Sequence, residues 1–443
     1  MIARLPDKRL SQRLEQMVDQ LSQRPEASIP QVFESWHDVK AAYHFLSNER
    51  VTHEAIIAEG SIETRQRLQG LDQVLLVQDT VSFNFTHHPA TEGLGRLEND
   101  YISGFFAHNT LAVSPDGVPL GLLNQNVWVR DQEKSESRRE RPFDEKESYK
   151  WVEGLAHVDD LPDDLQPIVV CDAEAHIYDF LDELHDRELD YIVRGSDYRS
   201  FTPEGQPLFE TVAQQAVQHT FTLQLKRHPE RPVREAQLEL RFGEVRLRRP
   251  QRSQARQAEL TVWVVDVQEI DAPAGEEPIH WLLLTSLPVT SVAQAQQIVT
   301  WYSHRWLVER FHYVLKSGCQ LEESQLRQAD RLQRLLGVYS LVAWRLLWLT
   351  YQARVTPNEP CTVALTEAEW QALYLFMKKT TRLPKKPPSL RQATRWIGQL
   401  GGFLGRKGDG EPGVKVLWRG WTRLQDIVAT YTLLQPPKDM GNA

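Results

Sequence analysis

The sequence predicts a mixed α/β protein with helical ends, on three observations. Two apolar runs, "QVLLVQD" closing on Asp79 and "PIVVCD" closing on Asp172, read as strands buried on both faces. Residues 199 to about 285 switch to alternation, as in "FTLQLK", "AQLELRF", "EVRLR" and "LTVWVVDV", punctuated by proline and glycine. Helical spacing brackets both blocks, before residue 68 and after residue 291.

The elements then follow in order. Residues 1–68 form an N-terminal helical unit, with apolar spacing in "RLEQMVDQL" and "DVKAAYHFL" and Asp38 placed to cap the second helix. Residues 69–198 form the first part of a core: "QVLLVQD", "TLAVS", "GLLNQNVWV", "PIVVCD", a helix at "AHIYDFLDELH" and a closing strand "YIVRG". Residues 199–290 are a β-rich insertion, because the chain between Asp172 and the next helix far exceeds one strand. Helices return at 291–352, and a Pro-, Gly- and Lys-rich tail with helical ends occupies 353–443.

Composition narrows the class. A net charge of −9 over 443 residues is unlike the overall basic footprint of a simple electrostatic nucleic-acid binder. Two local zones reverse that sign. Between Tyr374 and Arg423 twelve basic residues face two acidic ones, and residues 199–256 carry eleven against six. Three scattered cysteines, without CxxC spacing, fit a reducing compartment and exclude a disulfide framework or thiolate zinc site. "MIARLPDKRL" has no apolar signal core, and the longest apolar stretch is interrupted by Arg345, so a soluble intracellular protein without membrane contact is expected.

The stretch "WYSHRWLVERFHYVLKSG" at 301–318 carries the chemistry. At about 100° per residue a single helix would align Tyr302, Arg305, Glu309 and Lys316 within roughly a 60° arc. Leu307, Val308, Phe311, Val314 and Leu315 would fill the opposite, buried half. Three carboxylates, Asp79, Asp172 and Glu309, would repel one another if gathered, and persist ionised only around cations. All-oxygen ligation suits Mg2+, with Mn2+ as substitute, rather than zinc. Two such ions about 4 Å apart can activate water and stabilise the leaving oxygen of a phosphodiester.

The order Asp79, Asp172, Glu309, together with the Y-x2-R-x3-E-x6-K spacing of Tyr302, Arg305, Glu309 and Lys316, resembles the IS-four family of DDE transposases. The likeness is strongest to the transposon-five branch and spans nearly the whole chain. It runs through "DKRL" at 7–10, "QDTVSFNF" at 78–85, "EKESYKW" at 145–151, "CDAEAHIYDFL" at 171–181, "YIVR" at 191–194, "HWLLLTSLPV" at 280–289 and "LGGFLGRK" at 400–407. The resemblance implies an RNase H-like core whose metal ligands are Asp79, Asp172 and Glu309. It also implies phosphate contacts at Tyr302, Arg305, Lys316 and Arg194, and base stacking by Trp281. Arginine's bidentate fork and lysine's point charge suit phosphate.

By the same likeness the chain is expected to cut and paste DNA through a hairpin intermediate. Its partners would be double-stranded transposon-end inverted repeats and target DNA. The basic, helical C-terminal region 353–443 would contact DNA and form a homodimer in the synaptic complex, in the bacterial cytoplasm at the nucleoid. Two alternatives share the fold: a catalytically silent DNA-binding inhibitor of transposition, and an RNase H-like nuclease without strand transfer. The intact carboxylates weigh against the first, and the Tyr302, Arg305, Lys316 and Trp281 set against the second.

Overall fold

Strand β1 (Gln73–Asn84) runs twelve residues without glycine or proline, and the sheet is built outward from it. The computed structural model describes residues 5–33, 35–130, 141–196, 199–225 and 234–434. Residues 226–233, part of the central basic zone, lie outside these. Four helices precede β1: α1 (Lys8–Gln23), α2 (Ile29–Val32), α3 (Trp36–Ser47) and α4 (His53–Leu68). After β1 come β2 (Gly95–Arg96), β3 (Ser103–Val113), β4 (Pro119–Trp128), α5 (Lys150–Glu153), β5 (Gln166–Cys171), α6 (Tyr178–Asp186) and β6 (Asp190–Arg194). The segment 199–290 contributes α7 (Leu208–Ala213), β7 (His219–Leu225), β8 (Arg234–Arg248), β9 (Glu259–Ile270) and β10 (His280–Thr285). Helices α8 (Val292–Ser303), α9 (Trp306–Tyr313), α10 (Ala329–Val355), α11 (Glu367–Lys378), α12 (Leu390–Leu400) and α13 (Val414–Leu434) follow.

Among the described residues ten strands join in one sheet, ordered β2-β3-β1-β5-β6-β10-β9-β8-β7 with β4 also on β3. Strands β1, β5 and β6 are parallel, bordered by antiparallel β3 on one side and β10 on the other. This is the mixed, helix-flanked sheet of an RNase H-like core. The β-rich segment continues that sheet through β10 instead of folding apart from it.

Parity along the strands then decides which side chains meet, because successive residues point to opposite faces. Leu75, Val77, Ile168, Val170, Ile192 and Leu283 belong to one apolar core, while Val74, Leu76, Val169, Cys171, Val193 and Leu284 belong to the other. The first core is covered by the N-terminal helices and by α8 to α13, the second by α5 and α6. Asp79, Asp172, Arg194 and Trp281 share the parity of the first set. They therefore face the layer that carries Glu309.

One local expectation is corrected. Asp38 does not cap α3: Ser35 does, its hydroxyl accepting from the Asp38 amide at 3.0 Å, because Asp38 lies in the helix's first turn. The N-terminal unit is tied to α10 by Arg334, a buried guanidinium that donates to the carbonyls of Val51 (2.5 Å) and Leu46 (3.0 Å). Among the described residues no helix is long and apolar enough to cross a membrane.

Candidate active site

The strand register brings the two aspartates level. Parallel pairing of β1 with β5 ends at Val77 opposite Val170, and Asp79 and Asp172 each stand two residues further on. Neighbouring strands lie about 4.8 Å apart, so the carboxylates are adjacent on one face. The expectation that both strands stop on an aspartate holds for β5 but not for β1. Asp79 is mid-strand, because antiparallel β3 keeps pairing β1 from Asn109, opposite Asp79, out to Asn84. Asp172 instead opens a short 3-10 turn, its Oδ1 accepting from the Glu174 amide at 2.8 Å.

Burial and like charge make this an uneasy pair. Burial, then the neighbouring Asp172 charge, pushes the Asp79 carboxyl up to about 7, opposed by the Thr80 amide at 2.8 Å and by Arg305. Burial also raises Asp172, against its hydrogen bond from Glu174 and the cations Arg305 and Lys150. Both groups are raised chiefly by burial.

Glu309 is delivered by α9, but not on the single helix expected for 301–318. The chain breaks at His304 and Arg305, where the Arg305 amide reaches back only to Tyr302 and that of Val308 only to Arg305. A π-helical turn then spans Val314–Gly318. The apolar half is as the spacing required: Leu307, Val308, Phe311, Val314 and Leu315 are all buried. The polar stripe is divided. Arg305 donates to Glu309 at 2.6 Å and lies 3.7 Å from Asp79 Oδ2, so its guanidinium bridges two of the three carboxylates. Lys316 sits elsewhere, 3.6 Å from Glu322, which accepts from the Asn84 amide at 2.7 Å. Asn84 is five residues up β1 from Asp79, roughly 16 Å at strand rise.

Tyr302 departs most from its expected place on an exposed stripe, since it is only 4% exposed. It packs edge-on against Trp281 with ring centroids 5.8 Å apart, and Arg305 stands 6.0 Å from its ring. Trp281 itself is partly buried. Arg194, opposite Leu283 on β10, donates to the His280 carbonyl at 3.1 Å. Trp281, Tyr302, Arg194 and Arg305 thus form one cluster beside the carboxylates, with Lys316 apart from it.

The donor chemistry fits a hard divalent cation: Asp79 and Asp172 are adjacent and oxygen-only, and burial raises both carboxyls in spite of the nearby Arg305. Glu309 is held by Arg305, and among the described residues no three His, Cys, Asp or Glu side chains converge as a ligand set. Sequence reasoning did not single out Lys150 or Glu322. The Lys150 ammonium lies 3.4 Å from Glu174, two residues past Asp172, within the quoted "EKESYKW". Glu322 follows a left-handed Gln320 and has no periodic signal.

Comparison with known families agrees with this geometry. Residues 152–345 match the family described as "Transposase DDE domain", and residues 2–51 match "Transposase DNA-binding". Residues 341–432 match "Transposase Tn5 dimerisation domain". The fold and these matches define a DDE transposase, an enzyme acting on DNA. Within that class the chain belongs to the IS-four family, in its transposon-five-like branch. DDE transposase domains use divalent metal ions, generally Mg2+. Asp79 falls between the matched segments. A solved structure described as a "piggyBac transposase synaptic complex with hairpin DNA" is 9% identical over 98% of this chain and 74% of that chain, with a TM-score of 0.36. At that score the likeness carries no weight here.

Proposed function

We propose that Asp79, Asp172 and Glu309 are the catalytic carboxylates of a cut-and-paste reaction at transposon ends, and that they hold two Mg2+ ions, with Mn2+ able to substitute. The observation that carries this reading is the adjacent, partly buried Asp79 and Asp172, with Arg305 joining Asp79 to Glu309. Bound there, Mg2+ supplies positive charge to the phosphodiester and acidity to the attacking water. Arg305 then has two tasks: it orients Glu309 through their hydrogen bond, and it offers a guanidinium to an end phosphate. Arg194 adds a second cation to the same cluster. Tyr302 acts from a buried position, bracing Trp281 edge-on, while Lys316 meets the backbone further along β1.

The reaction order is nick, hairpin, opening, joining. Water cleaves one strand at the element's end, and the freed 3′-OH attacks the opposite strand, expelling flanking DNA and leaving a hairpin. A second water opens the hairpin, and the blunt 3′ end joins target DNA. Trp281 stacks on a base extruded at the hairpin bend. The N-terminal helices and the basic 353–443 region contact the end inverted repeats, and α13 pairs two subunits in the synaptic complex at the bacterial nucleoid. The division at residues 68, 198, 290 and 352 follows the same reading.

The test is a time course on a strand-labelled end fragment in Mg2+. Nick, then hairpin, then blunt end supports the scheme. Double-strand cleavage with no hairpin removes the hairpin step and favours the plain-nuclease alternative.

A further inference from the structure

Beside the carboxylates, buried polar side chains form one continuous hydrogen-bonded network across five elements. His53, the first residue of α4, places Nε2 2.8 Å from Oε1 of Gln125 on β4. Gln125 Nε2 donates to Asn109 Oδ1 on β3 at 2.5 Å and lies 3.0 Å from Ser340 Oγ on α10. Asn109 Nδ2 donates to His312 Nε2 on α9 at 2.9 Å. His53, Gln125, Asn109, His312 and Ser340 are all buried.

The direction of this chain follows from what each group can do. An amide NH2 only donates, so His312 Nε2 accepts and its proton sits on Nδ1. An amide oxygen only accepts, so His53 Nε2 carries a proton. Burial keeps both rings neutral, so each has one donor and one acceptor. No member can reverse alone, because turning one amide sets donor against donor on one side and acceptor against acceptor on the other.

Its ends are what matter. His53 stands two residues past the segment that matches a transposase DNA-binding family, and its helix abuts the Val51 carbonyl held by Arg334. His312 is one turn beyond Glu309 on α9, and Asn109 is the cross-strand partner of Asp79. A ring pinned at His312 fixes the rotation of α9 about its axis.

We propose that His53, Gln125, Asn109 and His312 are positioning residues that couple the seating of the DNA-binding N-terminal unit to the placement of Glu309. None of them touches DNA or a reacting atom. They act through α9, and the proposal rests on the reading of Glu309 as catalytic.

The test uses the full chain in single-turnover nicking at saturating end DNA and Mg2+, with end affinity from gel shift and thermal melting alongside. His53→Ala and Gln125→Met should each slow nicking about tenfold while affinity stays within about twofold, since a small misplacement at a reacting group is costly. The double variant should be no slower than the slower single, because both changes break one chain. His53→Gln, whose amide can donate to Gln125, should recover the rate to within about threefold of the native protein. If Gln125→Met does not fold, Gln125→Leu, which likewise can neither donate to Asn109 nor accept from His53, carries the same arm. A folded His53→Ala protein nicking at the native rate, losses that multiply, or a loss confined to affinity overturns the proposal. A fully active Glu309→Ala protein removes the catalytic reading and this proposal together; an inactive one beside a fully active His53→Ala removes this proposal alone.

Discussion

Trp281→Ala separates a base-stacking role from a packing role. In the structure the indole is half-covered, touching Tyr302 edge-on at 5.8 Å, so its truncation removes one aromatic pair and part of a buried surface. A fully buried tryptophan costs about 3 to 5 kcal/mol on truncation, and an aromatic pair about 0.5 to 1.5 kcal/mol beyond its area. For this partly exposed ring the expected loss is about 2 kcal/mol, small enough to leave a protein of this size folded. Stacking on an extruded base is worth about 1 to 3 kcal/mol, so hairpin formation should fall roughly tenfold to a hundredfold. The first nick needs no extruded base and should stay near the native rate. A strand-labelled end fragment on a denaturing gel reads both steps, and thermal melting reads the fold. A folded Trp281→Ala protein that nicks and forms hairpins at native rates refutes the stacking role. Equal slowing of both steps with a large drop in Tm refutes the claim that the ring is more than packing.

Three further outcomes are expected. Lys316→Ala should weaken end binding and lower the slope of log affinity against log salt by about one, since it deletes one phosphate contact; an unchanged slope, measured by gel shift across a salt series, counts against that contact. Burial holds His176 down to about 4 and His312 to about 3, so both are neutral when folded; stability from them is complete above pH 6.5 and lost as pH falls toward those values. His176 alone contributes about 3 kcal/mol, and urea midpoints that do not fall between pH 7 and pH 4.5 would contradict its burial as a neutral ring. Arg334→Leu should cost about 3 kcal/mol by orphaning the Leu46 and Val51 carbonyls and should expose the N-terminal helices to limited proteolysis, whereas native protease resistance contradicts that anchoring.

Strand periodicity made the sheet legible, because Val74 to Val77 and Ile168 to Cys171 are buried on both faces and could read only as core strands. That Asp79 and Asp172 share a face came only with the register of β1 against β5, which no periodicity in the sequence carries. The length of β1 was hidden, since it depends on β3 continuing to pair past Asp79, a partner distant in sequence. The stripe at 302–316 looked continuous because helical spacing assumes an unbroken 3.6-residue turn, and neither the break at His304 and Arg305 nor the π turn at Val314–Gly318 carries a glycine or proline at its start. Tyr302 was misplaced for that reason. The Asn109–His312 contact was out of reach altogether: it joins residues about two hundred positions apart and follows no motif.

The central claim is that Asp79, Asp172 and Glu309 do chemistry and not DNA binding. Single-turnover nicking of an end fragment by Asp79→Ala, Asp172→Ala and Glu309→Ala proteins, in Mg2+ and in EDTA, with gel-shift affinity measured on the same preparations, tests it most directly. The account predicts that each variant binds the end about as tightly as the native protein yet fails to nick it, and that the native protein is inactive in EDTA and restored by Mg2+ or Mn2+. Nicking at the native rate by any one of the three variants, or by the native protein in EDTA, contradicts it.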